Sequence, residues 1–265
     1  MKRFLTAAVL LPIVVALVWY GPSWLLFIGL LPFLLVALWE FCQLGKRVGL
    51  GANQALLFGA GVSVVWFGWW QPPLVPVVVV TAGFVLLLWE ALARTSRNEA
   101  LPAAAGGFLG LLYVAVPFAF LLDLRTEPAG NKLVLLVLVM VWAGDIAAYY
   151  VGRALGRHKL APRISPAKTV EGGAASFIAT VAAGFWLISK SGWFPDASLR
   201  HAVVLPVVVN LAAQVGDLVE SALKRGAGVK DSSSILPGHG GMLDRIDSLL
   251  LAVPALWYYY IWFVF

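Results

Sequence analysis

NKLVLLVLVMVWAGDIAAYYVGRALGRHKL, residues 131 to 160, begins with a long apolar run, carries an aspartate at 145 well inside it, and ends in a cluster of cations. Roughly 20 apolar residues are what an α-helix needs to cross hydrocarbon. The stretch predicts a membrane span over 132–151. It also poses the functional question, because a carboxylate in hydrocarbon is costly unless it is paired, solvated or bound to a cation.

Working outward, the chain repeats such runs. It has 265 residues, of which 61% are hydrophobic and only 12% charged, whereas soluble domains carry roughly a quarter charged residues. Apolar runs read against glycine and proline breakers predict helices near 4–20, 23–41, 54–70, 74–93, 103–122, 132–151, 170–189, 202–223 and 245–264. The fold class expected is an all-α polytopic membrane protein with about nine transmembrane helices. Residues 1–130 supply the first five and residues 131–265 the last four with their cytoplasmic connections, as one integrated membrane unit. The opening MKRFLTAAVLLPIVVALVWY has the charged start of a signal peptide but no clear small-residue cleavage site, so it reads as a retained first helix.

The cations orient the chain. With the N-terminus inside, fifteen of the nineteen lysines and arginines fall in cytoplasmic segments, leaving Arg125, Lys132, Lys190 and Arg200 outside. This bias predicts a cytoplasmic N-terminus and an external C-terminus. The net charge of +6 is then topology plus anion binding at the cytoplasmic face. Dispersed cations on short connections argue against a nucleic-acid partner. The one cysteine, Cys42, has no intrachain disulfide partner and reads as apolar packing.

Polar residues that a span does not need single out three places. They are Asp145, the eighth-helix stretch NLAAQVGDLVESALKR, and LDRID at 243–247. Asp217, Ser221 and Lys224 are spaced four and three apart, which puts them along one helical face. Asp244 and Asp247 are three apart at the start of the last span. Carboxylates from two helices are expected to converge on a divalent cation, and oxygen ligands with phosphate substrates suit magnesium. Glu40 and Glu90 each follow a tryptophan near a cytoplasmic helix end and read as interfacial anchors.

Two connections look built for phosphate. GRALGRHKLAPRISPAKTVEG offers Arg163, Ser165 and Lys168, and LKRGAGVKDSSSILPGHGG offers Arg225, Lys230, Asp231 and His239. Hydroxyls, lysines and backbone amides after glycine cradle phosphate oxygens, and arginine holds two at once. Neither is a Walker loop or a dinucleotide turn. Together with the embedded carboxylates they imply metal-assisted phosphoryl or nucleotidyl transfer at a bilayer surface. An ion-coupled transporter is the reading from another class, but no repeat of broken helices divides the chain in half. The D-G-x-x-A-R opening of CDP-alcohol phosphotransferases is absent, and a polyprenol or phytol kinase is the closer rival.

SALKRGAGVKDSSSILPGHGGMLDRID, residues 221–247, resembles the signature of phosphatidate cytidylyltransferases, with upstream WAGDIAAYYVGRALGRHKLAPRISPAKTVEGG and GDLVES in the order of the bacterial members. The resemblance covers Trp142 to Asp247 in specific motifs, and the first five spans only in hydropathy. It implies conversion of CTP and phosphatidic acid into CDP-diacylglycerol and pyrophosphate by a magnesium-dependent, multi-span homodimer of the bacterial inner membrane. Its metal-binding acids map onto Asp217 and Asp244, as ligands of one or two ions, with any monovalent cation left open. Its serine and basic pair map onto Ser221, Lys224 and Arg225. Lys230, Asp231 and His239 map onto the rest of the polar pocket, which Asp145, Arg163, Ser165, Lys168 and Asp247 are expected to complete.

Overall fold

A computed structural model describes residues 12–94, 96–195, 197–235 and 240–263, apart from the side chain of Arg97. The charged start of the expected first helix and His239 lie outside these residues. Helices dominate: α1, described over 12–20, α2 (Ser23–Arg47), α3 (Gln54–Trp70), α4 (Val75–Ala93), α5 (Arg97–Gly110), α6 (Val116–Thr126), α7 (Gly130–Leu155), α8 (Val170–Ser189), α9 (Leu199–Gly226), the single turn α10 (Leu243–Ile246) and α11 (Leu249–Phe263). Among the described residues, six helical stretches are long and apolar enough to cross a membrane, and α3 and α11 are shorter apolar helices. One of the six, Asn98–Thr126, joins α5 to α6 through a π turn at Leu111–Ala115. Pro117 follows that turn and has no N–H to return to the carbonyl four residues back.

The all-α expectation needs one addition. Between α7 and α8 the chain forms a small antiparallel hairpin, β1 (Lys159–Ala161) with β2 (Ser165–Thr169), pairing Lys159 with Thr169 and Ala161 with Ser165. Strand and turn chemistry here is short-range. ISPAKT carries a proline and no long apolar alternation, so hydropathy gave no strand signal.

The chain folds as two compact units, Met1–Pro128 with Leu223–Ile246, and Ala129–Ala222 with Asp247–Phe265. In the first unit, Leu34, Leu38, Leu57, Leu86, Leu111 and Leu122 are fully buried. Glycine sets the helix spacing: a Cβ on Gly68 would lie 2.6 Å from Ala119 Cα, so α3 and α6 touch backbone to backbone. Glu90 is no interfacial anchor. It is buried, and its carboxylate accepts from Asn53 N at 2.6 Å and from Arg94 Nε at 2.6 Å. Arg94, four residues on, was the sequence cue for this pair. The end of α2 is a Schellman motif: Leu50 N–H reaches Gly45 O, Gly49 N–H reaches Lys46 O, and Gly49 takes φ +79°.

In the second unit a polar ladder links α8 to α9. Asn210 donates to Ser176 Oγ (3.0 Å) and Thr180 Oγ1 (2.9 Å), and Gln214 donates to Asn210 Oδ1 and Gly173 O. Thr180 in turn donates to Met140 O on α7. Interhelical bonds between such side chains suit helices that gain nothing from apolar burial against lipid.

Packing of this kind gives a stability test. A Cβ at Gly184 would collide with Pro206 Cγ and lie 2.7 Å from Met140 Sδ, whereas one at Gly59 would meet nothing within 4 Å. Gly184→Ala should lose about 1–3 kcal/mol to overpacking, and Gly59→Ala should be neutral or gain up to about 1 kcal/mol from helix propensity. Thermal unfolding of the two purified variants in the same detergent checks the contrast, and equal midpoints would contradict it.

Candidate active site

The segment after α9 is held in the first unit by two carboxylates. The helix ends in a second Schellman motif, with Val229 N–H on Lys224 O, Gly228 N–H on Arg225 O and Gly228 at φ +71°. The chain then crosses Glu40. This carboxylate, on α2 and fully buried, accepts from Ser232 Oγ at 3.0 Å, Ser233 Oγ at 2.5 Å, Met242 N at 2.8 Å and Leu243 N at 2.7 Å. Four donors, none of them a cation, therefore solvate one buried charge.

Asp244 lies beside it. Its Oδ1 is bonded to Lys224 Nζ, and its Oδ2 accepts from Ser232 N at 3.0 Å, Ser232 Oγ at 2.9 Å and Gly241 N at 2.7 Å. Burial alone would raise the Asp244 carboxyl, but the Lys224 ammonium and the Gly241 and Ser232 amides outweigh it and hold the group below its ordinary value. Ser232 has a single hydroxyl proton and two carboxylate neighbours, so it bonds one at a time and bridges them. Glycine is required twice here. Gly240 takes φ +76°, and a Cβ on Gly241 would run into Ser232 Oγ and Glu40 Oε1.

The other expected residues of this unit fall around the clamp. Lys224 is buried, Arg225 is exposed and donates to Val229 O at 3.0 Å, and Lys230 and Asp231 are exposed on the loop. The reading of Glu40 as an interfacial anchor is overturned, because it is wholly buried among loop donors. The cue was present in the sequence. None of Val36, Ala37, Gln43 and Leu44, the residues three and four away along α2, can balance a charge, so the partner had to come from elsewhere.

The second unit carries the remaining candidates. Thr169 caps α8, accepting from Gly172 N at 3.1 Å, and Gly152 and Gly156 leave room for its side chain. The hairpin is closed by Glu171, which accepts from His158 N and lies 2.7 Å from His158 Nδ1. Arg163 is exposed at the hairpin turn, and Ser165 opens β2. From β2, Lys168 reaches back to α9, with Nζ 2.7 Å from Asp217 Oδ2. Asp145 on α7 feels both Asp217 and Lys168, and Asp247 feels Asp217, Glu220 and Asp145. Asp247 can come this close because Gly216 packs against its carbonyl, where a Cβ would sit 2.7 Å away. Ser221 is buried on α9.

Chemically, the second unit brings Asp145, Asp217 and Asp247 into one another's electrostatic field, with Lys168 bonded to Asp217, and carboxylate oxygens are the ligand type that suits a divalent cation. Among the described residues no group of three His, Cys, Asp or Glu is drawn tightly enough to hold a metal as it stands. The first unit offers Ser232 to Ser234, Gly240 and Gly241 together with Lys224, Arg225 and Lys230, groups of the kind that hold phosphate oxygens.

A family model described as the cytidylyltransferase family matches residues 1–263. The chain is similar to a phosphatidate cytidylyltransferase of Pseudomonas aeruginosa, 38% identical over 267 residues that cover 96% of this chain and 94% of that protein. It is also similar to one of Staphylococcus aureus, 33% identical over 228 residues and 84% of each chain, and to one of Haemophilus influenzae, 45% identical over 133 residues, which cover 49% of this chain and 46% of that protein.

Glu40→Gln tests the clamp. An amide keeps the size but removes the charge, at a cost of about 1.5–3 kcal/mol for each charge-assisted bond weakened. The amides of Met242 and Leu243 should then exchange with deuterium at least about 10-fold faster, read on peptides covering 240–248. Unchanged exchange would show that Glu40 does not hold the loop.

Proposed function

The chain belongs to the cytidylyltransferase family, and from that premise we infer that it transfers the cytidylyl group of CTP to phosphatidic acid, giving CDP-diacylglycerol and pyrophosphate. The observation that carries this reading is the family match along residues 1–263, which includes the residues that Glu40 and Asp244 hold, Ser232, Ser233 and Gly241 to Leu243. In the reaction a phosphate oxygen of phosphatidic acid forms a bond to the α-phosphorus of CTP. The bond from that phosphorus to the bridging oxygen breaks, and pyrophosphate leaves with the electron pair.

No protein nucleophile is needed, and no strong base, because a phosphate monoester is already ionised at neutral pH, with a second pKa of about 6. The residues' task is electrostatic. Lys168, Lys224, Arg225 and Lys230 offset charge that builds on the transferring group and on pyrophosphate, with Ser221, Arg163 and Ser165 as further phosphate donors. Asp217 and Asp244 are the proposed ligands of one or two magnesium ions. Asp145 and Asp247 add to the negative field at Asp217. Asp244, already bonded to Lys224 and three other donors, would take a metal only in exchange for one of them. Magnesium, when bound, neutralises phosphate charge and orients phosphate oxygens.

The setting belongs to the same proposal: nine spans, a homodimer in the bacterial inner membrane, a cytoplasmic N-terminus and active site, and an external C-terminus. Support comes from the fifteen-to-four division of basic residues and from helix within each expected apolar segment among the described residues.

Three measurements test these statements. Label at the α-phosphate of CTP should enter lipid while γ-label leaves as pyrophosphate; γ-label in lipid would indicate a kinase instead. In Asp217→Asn, magnesium-dependent turnover should fall by about 100-fold or more with the folded yield kept, and a folded variant with normal magnesium titration would remove Asp217 from the ligand set. Reporter fusions after residues 44, 97 and 160 should read cytoplasm and those near 71, 127 and 195 the opposite side; a reversed signal at 160 would overturn the orientation.

A further inference from the structure

The first unit contains an open cavity of about 560 Å³ between the last turns of α2 and the loop after α9, within the usual range for small-molecule sites. Trp39, Lys46 and Arg47 line it from the helix, and Asp231, Ser234 and Ile235 from the loop. The two cations are exposed, and among the described residues their side chains make no hydrogen bond or ion pair. The loop wall is fixed from behind, since Ser232 and Ser233 spend their hydroxyls on Glu40 and Asp244. Ser234 is the serine left exposed, with its hydroxyl unengaged among the described residues.

Two ordinary roles exist for Lys46 and Arg47: complementing the α2 dipole and marking the cytoplasmic side. Either would be met by cations extended anywhere into solvent. Here the Schellman turn at Gly49 fixes the helix end, and both cations line one cavity with an indole and a free hydroxyl. Asp231 offsets one positive charge and leaves the other in excess, which selects an anion. The apolar lining from Trp39 and Ile235, at the end of a helix long enough to span a membrane, suits an anion attached to a less polar body.

We propose that this cavity is a phosphate-ester binding site in which Lys46 and Arg47 hold phosphate oxygens, Ser234 donates a hydrogen bond, and Trp39 and Ile235 cover the part of the ligand next to the phosphate. It rests on the proposed reaction for its choice of ligands, phosphatidic acid and CTP, which present the same phosphate oxygens. The end of a membrane helix favours the lipid: the site receives the phosphatidate headgroup.

The test separates binding from turnover. Detergent-purified wild type and K46Q/R47Q are titrated with dioctanoyl phosphatidic acid alone and with CTP alone, each followed by thermal unfolding, so that no reaction occurs. The double variant should need at least about 10-fold more phosphatidic acid for the same stabilisation and respond to CTP as wild type does. Lys46→Arg, which keeps the charge, should behave as wild type. A shift confined to CTP would keep the phosphate-ester site but assign it to the nucleotide. Unchanged response to both probes, in a double variant that unfolds at the wild-type temperature without ligand, would overturn the site. Product formation by wild type is measured alongside. Failure to make CDP-diacylglycerol would sink the proposed reaction while leaving a charge-dependent binding result intact.

Discussion

Glu40 is the constraint on which the first unit's functional loop depends. A carboxylate in the apolar interior of α2 is costly to bury, and nothing along its own helix offsets it. The structure meets that cost by bringing Ser232, Ser233, Met242 and Leu243 to it, so that two hydroxyls and two amides point inward at one group. The loop's conformation follows. Gly241 must lack a side chain because Glu40 and Ser232 occupy that space, and Gly240 must take a left-handed turn to deliver Gly241 N–H to Asp244. Hydrogen bonds to two carboxylates thereby fix Ser232, Ser233 and Gly241 to Leu243 in place.

The helices were legible in the sequence because hydrocarbon imposes one rule on length and polarity, and that rule shows locally. Among the described residues helix lies within each predicted run, though α3 and α11 are shorter than a span, and ends are soft: α2 continues to Arg47, six residues past the expected 41, because the amphipathic last turns carry Gln43, Lys46 and Arg47. The hairpin at 159–169 was illegible for the opposite reason. Its pairing depends on Glu171 and Thr169 fastening a short polar loop to the α8 end, contacts that no periodicity reports.

The candidate site was legible in its composition and not in its wiring. Charged residues near spans stand out by rarity, which singled out Asp145, Asp217, Asp244 and Lys224. Which of them bonds to which could not be read. Asp244 is matched by Lys224 twenty positions earlier, and Asp217 by Lys168 from a strand. Glu40 was misread because a glutamate after a tryptophan near a helix end is common at interfaces. Its partners lie about 190 to 200 residues away in sequence and leave no local trace.

The two units treat carboxylates near spans differently. Glu40 and Asp244 are supplied with donors on both oxygens. In the second unit the amide ladder of Asn210 and Gln214 is likewise satisfied by its neighbours. The aspartates beside it are not balanced in the same way. Lys168 bonds Asp217, while Asp145 and Asp247 add like charge to the same region. Carboxylates placed within one another's field cost a fold stability through their mutual repulsion. A helix bundle selected for stability alone would disperse them or match each with donors, as it does at Glu40. Such an imbalance is what a site that takes up positive charge on binding would need, which is the role proposed above for Asp217.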